Sequence, residues 1–391
     1  MTTTPLVTAP TAALGRDAAE TRQRDVSIDY LRATVTLMVL AHHSMLAYTT
    51  FARFDAASYL ASTAPIVDHA RWGFFDYAEN FNDVFFMSLM FFVSGLFVGP
   101  AIRRRSAGGF LRERTIRLGL PFLVCVACVM PIAYYASWRF AGHDTPYLAY
   151  WWQNITRDGW PPGPEWFIWM LLAFDALAAA WYLAGGRTRP RQIRPVTAFI
   201  ALFIASAVAY LPLLAIFGFG RWIPLIVPPL WFQVSRVLLY LVWFTAGVWL
   251  GSDWVRSLAR GWPWWAAGCI VAYNILVFTP DNGVLHALLW VLSLTASCFG
   301  LTAVFAGVVH RRHAWMDSLA RCAYIMYLIH YVFVTWTQYA LVGLPLPAPV
   351  KFAATFASVV ALSWVSARAI LVVPTAATVL YRALHGRSPC R

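Results

Sequence analysis

The sequence predicts an all-α, polytopic membrane bundle of about ten transmembrane helices with both termini cytoplasmic, and three observations lead there. Of the 391 residues, 60% are apolar and only 12% are charged, against roughly 45–50% and about 25% in soluble domains. Ten stretches stay apolar over the length that a spanning helix needs, about 20 residues. The arginines gather in alternate loops between them. Soluble domains of this composition would lack the polar surface to cover themselves, and a disordered or fibrous chain is excluded by the same numbers. The lipid bilayer is therefore an expected partner.

The stretches run 30–50, 81–101, 118–138, 165–184, 196–218, 229–250, 263–279, 284–308, 318–340 and 350–373. Residues 1–25 are polar, rich in Thr and Ala, and read as a flexible cytoplasmic tail. A signal peptide is not expected, because the stretch that follows carries charged and His residues and no small-residue cleavage site. One transmembrane domain then covers 26–381, and 382–391 form a short cytoplasmic tail. Gly95-x3-Gly99 in the second stretch and Gly247-x3-Gly251 in the sixth suit close helix packing through small residues. In the third, Cys125 and Cys128 sit inside an apolar run, where packing outweighs redox or metal chemistry. The seventh is short and stops at the turn sequence Thr279-Pro280-Asp281-Asn282-Gly283.

With the N-terminus inside, 21 of the 30 basic residues fall in the inner segments and five (Arg53, Arg71, Arg139, Arg157, Arg221) in the outer loops. Arg32, Arg236, Lys351 and Arg368 lie within or at the edge of stretches. This sidedness is the positive-inside pattern. It accounts for the net charge of +13, so nucleic acid is not an expected partner.

Polar residues inside a membrane carry the functional information. In the first stretch, Arg32 and His43 are eleven residues apart. At about 100° per residue this is three turns plus about 20°, so both lie on one face, with His43 about 16 Å deeper than Arg32. Asp29, one turn before Arg32, can pair with it. In the ninth stretch, His330 lies about 18 Å beyond Ser318 by the same rise, a depth that matches His43. Two imidazoles at one depth suggest a polar cavity with proton-transfer capacity, although a lone membrane His is equally accounted for by a satisfied interhelical hydrogen bond. His42 points about 100° away and reads as structural.

Arg114 and Arg117 open the third stretch. They serve either as positive-inside anchors or as a phosphate clamp, since guanidinium forks suit phosphate oxygens. Glu165 lies in the outer approach to the fourth stretch, Gly163-Pro164-Glu165-Trp166-Phe167. It reads as a ligand for a hydroxylated acceptor, as a second acid/base, or as part of a Trp-rich interface anchor. The sequence holds no Walker loop, dinucleotide fingerprint, HExxH or nucleophile elbow, and no bound cofactor or metal is expected.

Taken together, these residues resemble the acyltransferase-3 family of bacterial membrane O-acyltransferases. Arg32-x10-His43 fits its first-helix motif. Leu89-Met90-Phe91-Phe92-Val93-Ser94-Gly95 resembles its Phe-Ser-Gly helix, and Arg114-x-x-Arg117-Leu118-x-x-Pro121 its RxxR-L-x-x-P segment. Gly163-Pro164-Glu165-Trp166-Phe167 and Tyr327-Leu328-Ile329-His330 are similar to its G-P-x-W-F and Y-L-x-H motifs. The resemblance implies ten helices and transfer of an acyl group from cytoplasmic acyl-CoA to a carbohydrate or glycan hydroxyl outside the cell inner membrane; the glucan-modifying, succinyl-transferring branch is the nearest in kind. It implies His43 as general base or acyl carrier, Arg32, Arg114 and Arg117 on the donor, Asp29 orienting Arg32, and His330 lining the cavity or orienting the acceptor. The competing expectation is a transporter of a glycan or lipid-linked substrate, in which buried His and Arg are equally natural.

Overall fold

The computed structural model describes residues 26–186 and 191–372. Both expected tails, together with Arg187 and Arg189, lie outside the described residues. The helices are α1 (Val26–Leu46), α2 (Gly73–Gly95), α3 (Val98–Arg114), α4 (Leu120–Val124), α5 (Met130–Phe140), α6 (Tyr147–Thr156) and α7 (Trp166–Leu183). There follow α8 (Pro195–Phe217), α9 (Val237–Val255), α10 (Trp262–Phe278), α11 (Val284–Val308), α12 (Ala314–Leu341) and α13 (Ala348–Val372). A small antiparallel hairpin, β1 (Trp222–Pro224) with β2 (Trp231–Gln233), places Ile223 opposite Phe232.

Each of the ten apolar stretches overlaps a helix. Seven described segments are long and apolar enough to cross a membrane, two of them, Val98–Phe140 and Val234–Phe278, being composite. The chain is an all-α, multi-pass membrane protein. Several boundaries differ from the expected ones, and two starts do so by eight residues. The second helix starts at Gly73 rather than 81, because its first turns carry Asp76, Glu79, Asn82 and Asp83, which break the apolar pattern without breaking the helix. The sixth starts at Val237 rather than 229, because Pro228 and Pro229 have no amide donors and lead into β2 instead.

α9 packs on α2, α10 on α11, and α12 on both α13 and α1. The apolar window of α11 is 67% buried and that of α8 only 11%, so α11 is central and α8 faces lipid. Where α2 crosses α9, a Cβ on Gly95 would stand 2.2 Å from the Phe244 carbonyl oxygen, and one on Gly247 would stand 2.1 Å from that of Phe92. Both positions need glycine, as the small-residue spacing implies. Two buried cations are paired: Arg236 grips Asp83 through two bonds of 2.9 and 2.5 Å, and Lys351 meets Asp68 at 2.6 Å.

The rod from α3 to α5 is interrupted in ways its sequence explains. Ser106 adopts φ 64°, a costly conformation for a non-glycine residue, and its Oγ accepts the Gly109 amide to restart the helix. Pro121 and Pro131 cannot donate to the carbonyls four residues earlier. The chain widens into π-helical turns just before them, at Thr115–Gly119 and Cys125–Val129. The freed carbonyls find side chains instead. Arg117 O accepts the Tyr324 hydroxyl at 2.8 Å, and Ala127 O accepts the Trp151 indole at 2.7 Å.

Candidate active site

α1 and α12 bring His43 and His330 together, with His330 Nε2 lying 3.4 Å from His43 Nδ1. The end of α1 is held firmly. Its last four carbonyls have no helical donors, yet Gln338 Nε2 donates to those of His43 and Ser44, while the Tyr48 and Thr49 amides take those of Met45 and Leu46. The edges of His42 and Tyr331 flank the His43 ring, each at 5.1 Å between centroids. His330 is fully buried and His43 half-buried.

Main-chain carbonyls assign both tautomers. His330 Nδ1 lies 2.6 Å from the Tyr327 carbonyl oxygen, so it carries the hydrogen, and His330 Nε2 is left as an acceptor. His43 Nδ1 lies 2.9 Å from the Val39 carbonyl oxygen, so it too carries the hydrogen, and it faces the lone pair of His330. The free lone pair of His43 is therefore on Nε2. That is the form a general base or nucleophile requires.

A cavity of about 670 Å³ opens between α1, α2, α3, α7 and α12. α1 contributes Asp29, Arg32 and Thr36, which share one helical face, and the RxxR segment contributes Arg114 and Arg117. Tyr324 and Tyr327 form part of the α12 wall. In all, seven arginines and three carboxylates line this space, an excess of four positive charges suited to a polyanion. Arg114 Nε pairs with Asp175 at 3.1 Å and Arg117 Nε with Glu113 at 3.1 Å. The residues of the expected clamp thus have carboxylate partners. Asp29 and Arg32 share the wall, one turn apart on α1.

The sequence motifs interlock through backbone oxygens. The Tyr327 hydroxyl donates to the Pro164 carbonyl, which fastens the Tyr-Leu-x-His segment to Gly-Pro-Glu-Trp-Phe. Gly163 takes φ +54°, and a Cβ there would stand 2.7 Å from Met130 Sδ. In the Phe-Ser-Gly segment, Ser94 lines the cavity while Gly95 makes the α9 crossing. A family model described as an acyltransferase domain matches residues 25–368. The chain belongs to the acyltransferase-3 family. No curated protein and no solved structure matches it.

The acyltransferase has further polar residues at this site. Arg104, Arg105, Arg312 and Arg321 also line the cavity; as sequence they read only as loop charges, and nothing in their spacing marks them. Asp175 is different. It is a carboxylate within an apolar stretch, which the rule for intramembrane charges singles out. Glu165 is fully buried outside the cavity lining, and neither of its oxygens has a hydrogen-bond partner among the described residues.

Between the α1–α2 connection and α6 of the acyltransferase, Tyr59 donates to Asp158 at 3.1 Å and accepts from Asn154 at 3.2 Å. Burial pushes the Tyr59 hydroxyl above its ordinary value. Asn154 is 1% exposed and also donates to Tyr150. In the sequon Asn154-Ile155-Thr156 the acceptor amide of Asn154 is therefore sealed within this cluster, while Thr156 is exposed.

Proposed function

We propose that this acyltransferase moves an acetyl- or succinyl-type group from cytoplasmic acyl-CoA to a hydroxyl of an extracytoplasmic carbohydrate or glycan-containing acceptor, at the cell inner membrane. The observation that carries this reading is the free Nε2 of His43, fixed by the Val39 carbonyl and His330. As general base, Nε2 takes the hydroxyl proton while the oxygen attacks the thioester carbonyl; the C–S bond then breaks and the proton passes to the leaving sulfur. As acyl carrier, the same nitrogen attacks the carbonyl first and the C–S bond breaks to release the CoA thiolate; in a second step the acceptor oxygen attacks the acyl carbon, the N–acyl bond breaks back to the free imidazole, and the hydroxyl proton balances the thiolate released before. Both routes need one unprotonated nitrogen facing the reactants.

Arg32, Arg114 and Arg117 hold the donor's phosphates, supported by the excess positive charge of the cavity. Asp29, one turn away on the same face, orients Arg32. His330 keeps His43 in its working tautomer and shares the charge that forms there, a role closer to the observed contact than lining the cavity. Glu165, buried beside the Pro164–Tyr327 bond, serves the acceptor hydroxyl. Ten crossings with cytoplasmic termini put the arginine-lined mouth on the donor's side.

Purified protein in liposomes is expected to transfer acyl groups from acyl-CoA to added glycan, and His43→Ala to abolish transfer while remaining folded. Full activity in that variant would overturn the assignment. Mass spectrometry of acid-quenched protein separates the routes, since only the carrier route leaves an acyl mass on His43.

A further inference from the structure

One polar cluster at this depth has no part in the reaction as described so far. Asp76, Glu79 and Asp83 follow one another at three- and four-residue spacing on α2, so they form a single stripe running inward from its first turn. Two of the three are committed to fixed partners. Asp76 accepts the Thr50 amide at 2.7 Å together with the Thr50 hydroxyl. Asp83 is gripped twice by Arg236, whose guanidinium is itself held over the rings of Phe219 and Trp290 at 4.4 and 5.0 Å. Glu79, 7% exposed, has a titratable partner instead, His42 Nε2, at 3.6 Å.

With Glu79 ionised, the inner part of the stripe holds two carboxylates against one guanidinium, an arrangement with a negative charge in excess. Burying such a charge is costly. Its Glu79 member lies against His42, whose ring stands edge-on to His43 at 79° between planes and 5.1 Å between centroids. In a medium from which water is excluded, a charge one side chain away from the reacting ring acts on the charge that develops in a reaction.

We infer that Glu79, acting through His42, is a positioning residue that supports the positive charge formed on His43 during acyl transfer; this rests on the role proposed above for His43. His42 is thereby more than packing: it is the group through which the α2 carboxylate reaches the reacting ring. A purely structural pair would pin α1 to α2 and leave the chemical step alone, and the two roles give different kinetics.

Glu79→Gln keeps the size and hydrogen bonding of the side chain and removes its charge. The expected result is a fall in kcat of about tenfold or more, with the donor KM within about twofold of wild type and an unchanged unfolding midpoint. Glu79→Asp, which returns the charge, is expected to recover part of kcat. Wild-type kcat in Glu79→Gln would overturn the inference, as would equal losses in Glu79→Gln and Glu79→Asp. If Glu79→Gln does not fold, His42→Gln takes its place: it retains a hydrogen-bonding side chain, and full kcat in it would be equally fatal. Wild type and His43→Ala are assayed alongside. An inactive wild type, or an active His43→Ala, brings down the proposed function and this inference with it. An active wild type, an inactive His43→Ala and an unaffected Glu79→Gln bring down the inference alone.

Discussion

Arg114→Ala is expected to damage the protein in two separable ways. Its guanidinium pairs with Asp175, whose side chain is 0% exposed, so truncation leaves a buried carboxylate without its cation. Breaking a buried pair from one side costs about 3–5 kcal/mol. Arg114 itself is 23% exposed, and solvent screening puts the expected loss at about 3 kcal/mol, the lower end of that range. The second effect is on the donor. One charge-assisted phosphate contact is worth about 1.5–3 kcal/mol, hence a rise in donor KM of about tenfold or more. The double variant Arg114→Ala/Asp175→Asn separates them, because it removes the orphaned charge but does not replace the guanidinium. Unfolding in detergent should place its stability within about 1 kcal/mol of wild type, while its donor KM stays raised. If Arg114→Ala is as stable as wild type, the Asp175 pair carries no weight. If the double variant regains wild-type KM, Arg114 does not touch the donor, and its role is structural.

His330→Ala is expected to lower kcat by about a hundredfold with donor KM unchanged, since it removes a partner that orients the base and leaves the donor's arginines in place; steady-state kinetics decide it, and a KM effect alone would refute it. Gly95→Ala places a methyl group against the Phe244 carbonyl, and the α2–α9 crossing must part, at a cost of about 1–3 kcal/mol; an unchanged unfolding midpoint would contradict the close approach. In a protein stripped of its native cysteines, a membrane-impermeant thiol reagent applied from outside should label Asp144→Cys and spare Arg256→Cys, and the reverse pattern would invert the topology.

Composition and the sided arginines made the membrane class legible, and helical spacing alone put Arg32 and His43 on one face. The meeting of His43 with His330 was legible as equal depth, not as contact, because depth is counted along each helix whereas contact depends on how α1 and α12 pack. Other parts of the motifs became intelligible only in three dimensions. The proline of Arg-x-x-Arg-Leu-x-x-Pro serves by lacking a donor, which frees the Arg117 carbonyl for Tyr324. The tyrosine of Tyr-Leu-x-His serves by its hydroxyl on Pro164 and its carbonyl on His330. Such main-chain roles leave no chemical signature in a linear sequence. The acidic turns of α2 were visible as charges, yet they masked the start of a helix that an apolar window could not register.

The inner wall of the cavity has an electrical consequence. The space between α1 and α12 carries the potential of the compartment at its mouth inward as far as Tyr327, which is 5% exposed and tethered by its hydroxyl. Beyond it lie the rings of His330 and His43. A transmembrane voltage is worth about 2.3 kcal/mol per elementary charge per 100 mV. On the chemistry proposed above, a proton moved at His43, behind Tyr327, would work with or against part of that field, which makes the membrane potential a variable of acyl transfer.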